Sequence, residues 1–214
     1  MKHIDWLHIC SFAEVTQESS TPNRIPSTIN AKSYLQFSVQ HDQRFTIALF
    51  FNKSGQYGLM VTNREGQIQY TTGSLVGQGM EPAHLFLKIL AFLMFGSDSD
   101  IGLNPHFICE PQTDTLIAVN INGEHYDIIH HIYNLDNILG RGTNVWIVSR
   151  DNAQYVLKDS WSHSEAESEV TPLRLMMGHD EIKSSVPTYI GGGDVVINGK
   201  PDSTYIYRGE AYLG

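Results

Sequence analysis

Gly140 and Gly142 stand one residue apart in Leu139-Gly140-Arg141-Gly142-Thr143-Asn144-Val145-Trp146-Ile147-Val148, and one lysine, Lys158, follows in Tyr155-Val156-Leu157-Lys158. A glycine turn between two strands, with a cation on the next, suits a phosphate cover. The missing side chains let the backbone approach a polyphosphate, and the ammonium reaches its oxygens. Gly-x-Gly alone fits an ordinary hairpin with a solvated lysine equally well. Other groups offer less. Glu14-Val15-Thr16 has the acid of the strand-borne Glu-x-Lys found in metal-dependent nucleases, with threonine in the lysine's place. His125 and His130 are five apart on a predicted strand, so they are expected to face opposite sides; with His131 they read as surface histidines rather than metal ligands. Gly191-Gly192-Gly193 precedes a strand instead of a helix and reads as a turn. No metal ligand set is expected.

Composition narrows the partners. The 214 residues carry 14 Lys plus Arg against 23 Asp plus Glu, a formal charge of -9, which disfavours sequence-independent binding to nucleic-acid phosphates. Hydrophobic residues make up 41%, enough for a packed core. Cys10 and Cys109 cannot make a disulfide framework. The start, Met1-Lys2-His3-Ile4-Asp5-Trp6, lacks the apolar run of a signal peptide, and Leu85 to Phe95 is far short of the ~20 residues that span a bilayer. The expectation is an intracellular protein, cytoplasmic or nuclear, with no membrane and no nucleic-acid partner.

These residues need a scaffold, and the pattern supplies one of the α+β class: mostly antiparallel strands with a buried helix. The opening segment, with Trp6, Ile9, Phe12 and Val15, is strand-like; 17 to about 30 reads as a loop, and Ala31 to Gln40 as a short helix. Alternation then gives three strands, through Phe45 to Phe51, Tyr57 to Val61 and Ile68 to Tyr70, with turns at Asn52-Lys53-Ser54-Gly55 and Asn63-Arg64-Glu65-Gly66. This meander is expected to be wet on one face. A helix over about 82–95 covers the other; it opens at Pro82, closes at Gly96, and is apolar nearly all round, with Phe86, Leu90 and Phe95 in the core. Asn122-Gly123 predicts a hairpin, Arg150-Asp151-Asn152 a second, and Asn198-Gly199 a third in which Val195 to Ile197 pairs with Tyr205 to Tyr207. The division predicted is a β-rich region over 1–122 and a second unit over 123–214.

The longer string identifies more. Gly140-Arg141-Gly142-Thr143-Asn144-Val145-Trp146 followed by Tyr155-Val156-Leu157-Lys158-Asp159-Ser160-Trp161 resembles the fungal-type protein kinase family. Gln43-Arg44-Phe45, the Arg64-Glu65-Gly66 turn, Val186-Pro187, Asp194-Val195-Val196 and Asp202-Ser203-Thr204 extend the likeness from about Trp6 to the end.

The resemblance implies that 123–214 is a kinase-like N-lobe and 1–122 a family-specific extension. It implies ATP as cofactor and Ser/Thr protein substrates for a complete member. Gly140 and Gly142 would be the glycines of the nucleotide-covering loop, with Val145 where the general pattern has a third glycine. Lys158 would contact the α- and β-phosphates, and Glu169 would be its partner on the first helix. Two helix starts are open. If Ser164 is the cap, Pro172 falls in the interior; if Thr171 is the cap, Glu169 lies just before the helix, and Glu165 and Glu167 become rivals for Lys158.

No His-Arg-Asp, Asp-Phe-Gly or Ala-Pro-Glu motif occurs. The chain is therefore expected to be a truncated domain without a catalytic residue of its own, with an incomplete ATP site and Mg²⁺ bound only if a catalytic lobe is supplied. The alternative is a non-catalytic binding or scaffold module, a pseudokinase-like remnant. Either leaves an inter-lobe face bare, through which the chain is expected to self-associate.

Overall fold

The computed structural model describes residues 6–16, 24–76, 80–135, 137–161 and 169–203. Its first part is a four-stranded sheet in the order β1-β2-β3-β4, made of Phe12–Thr16, Phe45–Asn52, Gln56–Asn63 and Gly66–Ser74. β1 runs parallel to β2, and β2, β3 and β4 form the expected antiparallel meander. The wet face was not found. Helices α1 (Arg24–Val39) and α2 (Glu81–Phe95) contribute to two separate clusters drawn from alternate residues of β2. Ile29 of α1 meets Ala48, Phe50 and Met60. Ile89 of α2 meets Leu49 and Tyr57, with Phe51, Leu59, Phe86, Leu90 and Leu93 around them. Period-two alternation sends successive β2 side chains to opposite faces, so a strand covered on both is apolar on both. Phe45 to Phe50 are all buried.

α1 begins at Arg24, so the expected loop to residue 30 is corrected for 24–30, and residues 17–23 lie outside the described residues. Its apolar period is masked because Ser33 and Gln36 occupy the face that Ile29 and Phe37 share. The Ser33 and Thr46 hydroxyls are 2.7 Å apart. Gln36 Nε2 donates to the Ile9 carbonyl at 2.8 Å, and Gln40 Nε2 to those of Trp6 and Ile9 at 2.7 and 2.8 Å. Buried amides thus moor the amino-terminal segment, in which Trp6–His8 is a 3-10 turn instead of strand. Tyr34, Leu35 and Val39, expected among the apolar residues of this helix, are exposed.

α2 lies against the meander as expected, and Tyr57 donates its hydroxyl to the Pro82 carbonyl at 2.5 Å. It is not buried on several sides. Leu87, Phe92, Met94 and Phe95 face outward, with Phe95 80% exposed, so Phe95 is not core.

The second sheet is antiparallel, in the order β5-β6-β7-β8-β9, built from Phe107–Cys109, Leu116–Ile121, Glu124–Asn134, Asn144–Arg150 and Ala153–Asp159. Its core gathers Phe107, Val119, Trp146 and Val148. Asn122-Gly123, Asp151-Asn152 and Asn198-Gly199 each hold both residues at positive φ, the twist that two-residue hairpins require. The 122/123 division thus falls in the turn between β6 and β7. The third hairpin joins β10 (Val196–Ile197) to β11 (Lys200–Pro201). The partner expected over Tyr205 to Tyr207 lies outside the described residues. Gly191 to Gly193 form no helix or strand.

The register shifts in β7 between Ile128 and His130 and again between His131 and Tyr133. His130 pairs with Ile147 and His131 with Trp146, while His125 pairs with Asn120 beside the Tyr126–Val119 pair. An extra residue in one strand reverses the alternation after it. His125 and His130 therefore share a face, contrary to the simple count, and His131 is half-buried: its ring lies 5.2 Å from that of Trp146 and 4.2 Å from that of His41. Among the described residues no helix is long and apolar enough to cross a membrane, and no acidic, histidine or cysteine group is arranged to hold a metal ion.

Ile89 is the buried anchor of α2, whereas Leu87 is on its open side. Ile89→Ala should cost about 2–4 kcal/mol in urea unfolding, through lost contacts and a residual cavity. Leu87→Ala should stay within about 0.5 kcal/mol.

Candidate functional site

β7, β8 and β9 form three consecutive antiparallel strands, and the glycine loop joins the first two. Leu135 N–H donates to the Thr143 carbonyl at 2.8 Å and closes the loop. Gly140 and Gly142 both take positive φ, +104° and +48°. Nothing lies within 4 Å of where a Gly140 side chain would begin, whereas at Gly142 an added methyl would stand 2.7 Å from the Arg64 guanidinium carbon. Gly140 is open, and Gly142 is occupied from behind.

Cross-strand register decides what the third strand presents. Val145 pairs with Lys158 and Asn144 with Asp159. Asn144 is buried on the side of Trp146 and Val148, so Asp159 shares that side and Lys158 takes the opposite one, beside Val156. Val156 is 70% exposed. On this open face the Lys158 ammonium forms an ion pair with Glu169, as does the Arg141 guanidinium from between the two glycines. Glu169 uses one carboxylate oxygen for each cation. Its carboxyl is held below the usual range, chiefly by the hydrogen bond from Lys158 and further by both positive charges.

Glu169 reaches Lys158 because it stands at the N-cap of α3 (Val170–Met177). The carboxylate there complements the positive end of the helix. Neither expected start is correct as given: Val170 opens the helix and Glu169, not Thr171, is the cap. Pro172 lies in the first turn, where its missing N–H breaks no intrahelical bond. Ser164, Glu165 and Glu167 lie outside the described residues.

The structure therefore brings Lys158, Glu169 and the glycine loop together. Arg141, which the spacing did not single out, joins them. The reason is plain in retrospect, since a residue flanked by two positive-φ glycines can be turned toward the open face. Glu14, the other acid considered, pairs with Lys32 of α1 on the far sheet.

Behind the loop, a cavity of about 130 Å³ separates it from the 41–44 turn, and Asp42, Asn144 and Asp159 are among the residues that line it. Burial pushes Asp42 up to about 6; its own backbone N–H opposes the shift, and Asp159 adds to it. Burial also raises Asp159 to about 6 against the pull of Arg64 and His106. Arg44 pairs with Asp202 at 2.8 Å, both side chains 5% exposed. This side is polar junction, and the other is open.

A sequence model of the fungal protein kinase family matches residues 1–212. The chain belongs to that family. No curated protein and no solved structure matches it. The mixed α+β architecture, with several sheets and three helices among the described residues, is compatible with a kinase-like N-lobe.

Both raised carboxyls bind a proton more tightly in the native state than unfolded, where an aspartate titrates near 3.9. Their contribution to stability is complete below about 4 and lost as pH rises through about 6. Asp42→Asn should remove half of this dependence. Between pH 5 and pH 8 the wild type should lose about 1.4 kcal/mol relative to the variant, read from urea midpoints at both values.

Proposed function

We propose that this chain carries the nucleotide-holding lobe of a fungal-type protein kinase domain, preceded by a family-specific β-rich segment, and that its own residues hold ATP without transferring the phosphoryl group. The observation that carries the reading is the Lys158–Glu169 ion pair formed beside a glycine hairpin. In phosphotransferases of this type such a pair fixes the lysine that contacts the nucleotide phosphates.

The donor set fits that ligand. Lys158 and Arg141 are two cations gathered at one carboxylate, 41% and 52% exposed, and so accessible to phosphate oxygens. Gly140 has open space around it for close backbone approach. Val156, two residues before Lys158 on the same face, pairs with Ile147 and offers an apolar strip against which a planar base can lie. ATP would supply the phosphoryl group. Glu169 orients the lysine, and the loop excludes water from above.

Holding a nucleotide equally in ground and transition states does not raise the rate. Acceleration needs an aspartate to place the acceptor hydroxyl and carboxylate or amide groups for Mg²⁺. No His-Arg-Asp or Asp-Phe-Gly motif within the 214 residues supplies them. Asp151, which follows Arg150, sits in the β8–β9 turn with its carboxylate bonded to that arginine at 3.1 Å. A second lobe docking on the open face would bring the missing groups; without one, the exposed apolar strip at Val156 favours contact with another copy of the chain.

ATP affinity should be no better than ~1 mM, since one lobe supplies part of the contacts, and Lys158→Ala should weaken it further. Calorimetric titration of both proteins checks this, and equal binding would remove the cradle from consideration. Incubation of the chain with labelled ATP, Mg²⁺ or Mn²⁺ and a generic protein substrate should give no incorporation above a no-enzyme control. Incorporation abolished by Lys158→Ala would overturn the non-transferring reading.

A further inference from the structure

The β3–β4 turn of the first sheet meets the glycine loop, and Arg64 touches that loop at three residues, Asn137, Gly140 and Gly142. Arg64 lies in the Asn63–Gly66 turn between β3 and β4, a turn fixed by Asn63 Oδ1, which accepts from the N–H groups of Glu65 and Gly66 at 3.0 and 3.1 Å. Arg64 is 6% exposed, and its guanidinium carbon sits 4.2 Å from the centre of the Phe37 ring of α1. From there Nη1 donates to the carbonyl of Asn137, in the loop. Its Nε side fills the volume that a side chain at residue 142 would need. Its backbone carbonyl accepts the Gly140 N–H at 2.7 Å. Next to it, Glu65 accepts from the Trp161 indole at 3.2 Å, while Trp161 N–H donates to the Arg141 carbonyl at 2.7 Å.

We propose that Arg64 is the positioning residue of the nucleotide loop: the extension's hairpin holds the loop in its ligand-competent shape before any ligand arrives. The inference rests on the nucleotide-holding reading. A loop with two positive-φ glycines is costly to order, since glycine loses more freedom than any other residue. Ordering it in the free protein removes that cost from binding. The residue type suits the task. A guanidinium donates in several directions from one plane and lies flat on an aromatic ring; an ammonium does neither as well. Its buried charge has a counterpart in Asp159, whose carboxyl it holds down against burial. Asp159 directly follows Lys158, so the charge of the arginine that holds the loop also acts on the end of the lysine strand.

The test compares wild type with Arg64→Met, which keeps an unbranched stem over Phe37 and removes the donors, and with Arg64→Lys. Trypsin cleavage after Arg141 reports loop opening; cleavage after Arg150, in the exposed β8–β9 turn, is the internal reference. Without nucleotide, Arg64→Met should speed cleavage after Arg141 by about tenfold and leave Arg150 unchanged, as expected for local opening and not global unfolding. Lysine should restore little of the protection. The ATP Kd of Arg64→Met should rise by about tenfold in the same preparation.

Unchanged cleavage after Arg141 overturns the proposal, as does faster cleavage with an unchanged Kd, because the loop is then held but not positioned for the ligand. If both sites open together because the variant fails to fold, Gly142→Ala decides. Its methyl competes with Arg64 for the same space, so hydrogen exchange at the Gly140 amide should quicken selectively, and no change there overturns the proposal. If wild type binds no nucleotide, the function reading falls, and the positioning role falls with it. The proteolysis arm then shows separately whether the hairpin holds the loop.

Discussion

Lys158 and Asp159 are neighbours on β9 and point to opposite faces of its sheet, and the two sides of the molecule are organised around that alternation. Outward, the ammonium meets Glu169 at the head of α3 and stands beside Val156. Inward, the carboxyl is pushed up by burial and tempered by Arg64. A one-residue slip of β9 would exchange the two, placing an acid where phosphate would come and an ammonium against the buried junction. The tight Asp151-Asn152 turn, both residues at positive φ, fixes the register that prevents it.

The inner side is polar where a domain core would ordinarily be apolar. Arg44, Arg64, Asp42, Gln43, Asn104 and Asn144 are all buried there. Polar groups at such density are sustained by specific partners: Arg44 donates to the Leu103 carbonyl at 3.0 Å and to Asp202, and Asn144 to the His41 carbonyl at 3.1 Å. Their geometry sets one relative placement of the two sheets, whereas an apolar seam would tolerate sliding. The apolar clusters lie to either side of this junction, one on each face of the first sheet and one on the inner face of the second.

What could be read from the sequence followed the strength of local signals. Alternation at Phe45 to Phe51 and the Asn122-Gly123 turn are short-range and unambiguous, and the strands they flank stand where they were expected. Lys158 and Glu169 form an ion pair beside the turn that holds Gly140 and Gly142. Three features were hidden for physical reasons. α1 buries serine and glutamine on its inner face, so no apolar period betrays it. The β7 shifts reverse the facing of His130 and His131 by inserting residues that no spacing rule reveals. Arg64 lies 78 positions before Gly142, and a contact between a turn arginine and a distant glycine leaves no pattern in either neighbourhood.

Gln36 and Gln40 moor the amino-terminal segment through its backbone. The two amides address the backbone carbonyls of Trp6, Leu7, Ile9 and Cys10 and make no demand on what those residues carry. Every amino acid has that carbonyl. Drift in the tethered stretch is therefore cheap, and change in the tethering helix is dear. Two relatives with this arrangement could share little identity over positions 6–10 and still superpose there, with the family's memory of the contact kept in a pair of glutamines one helical turn apart.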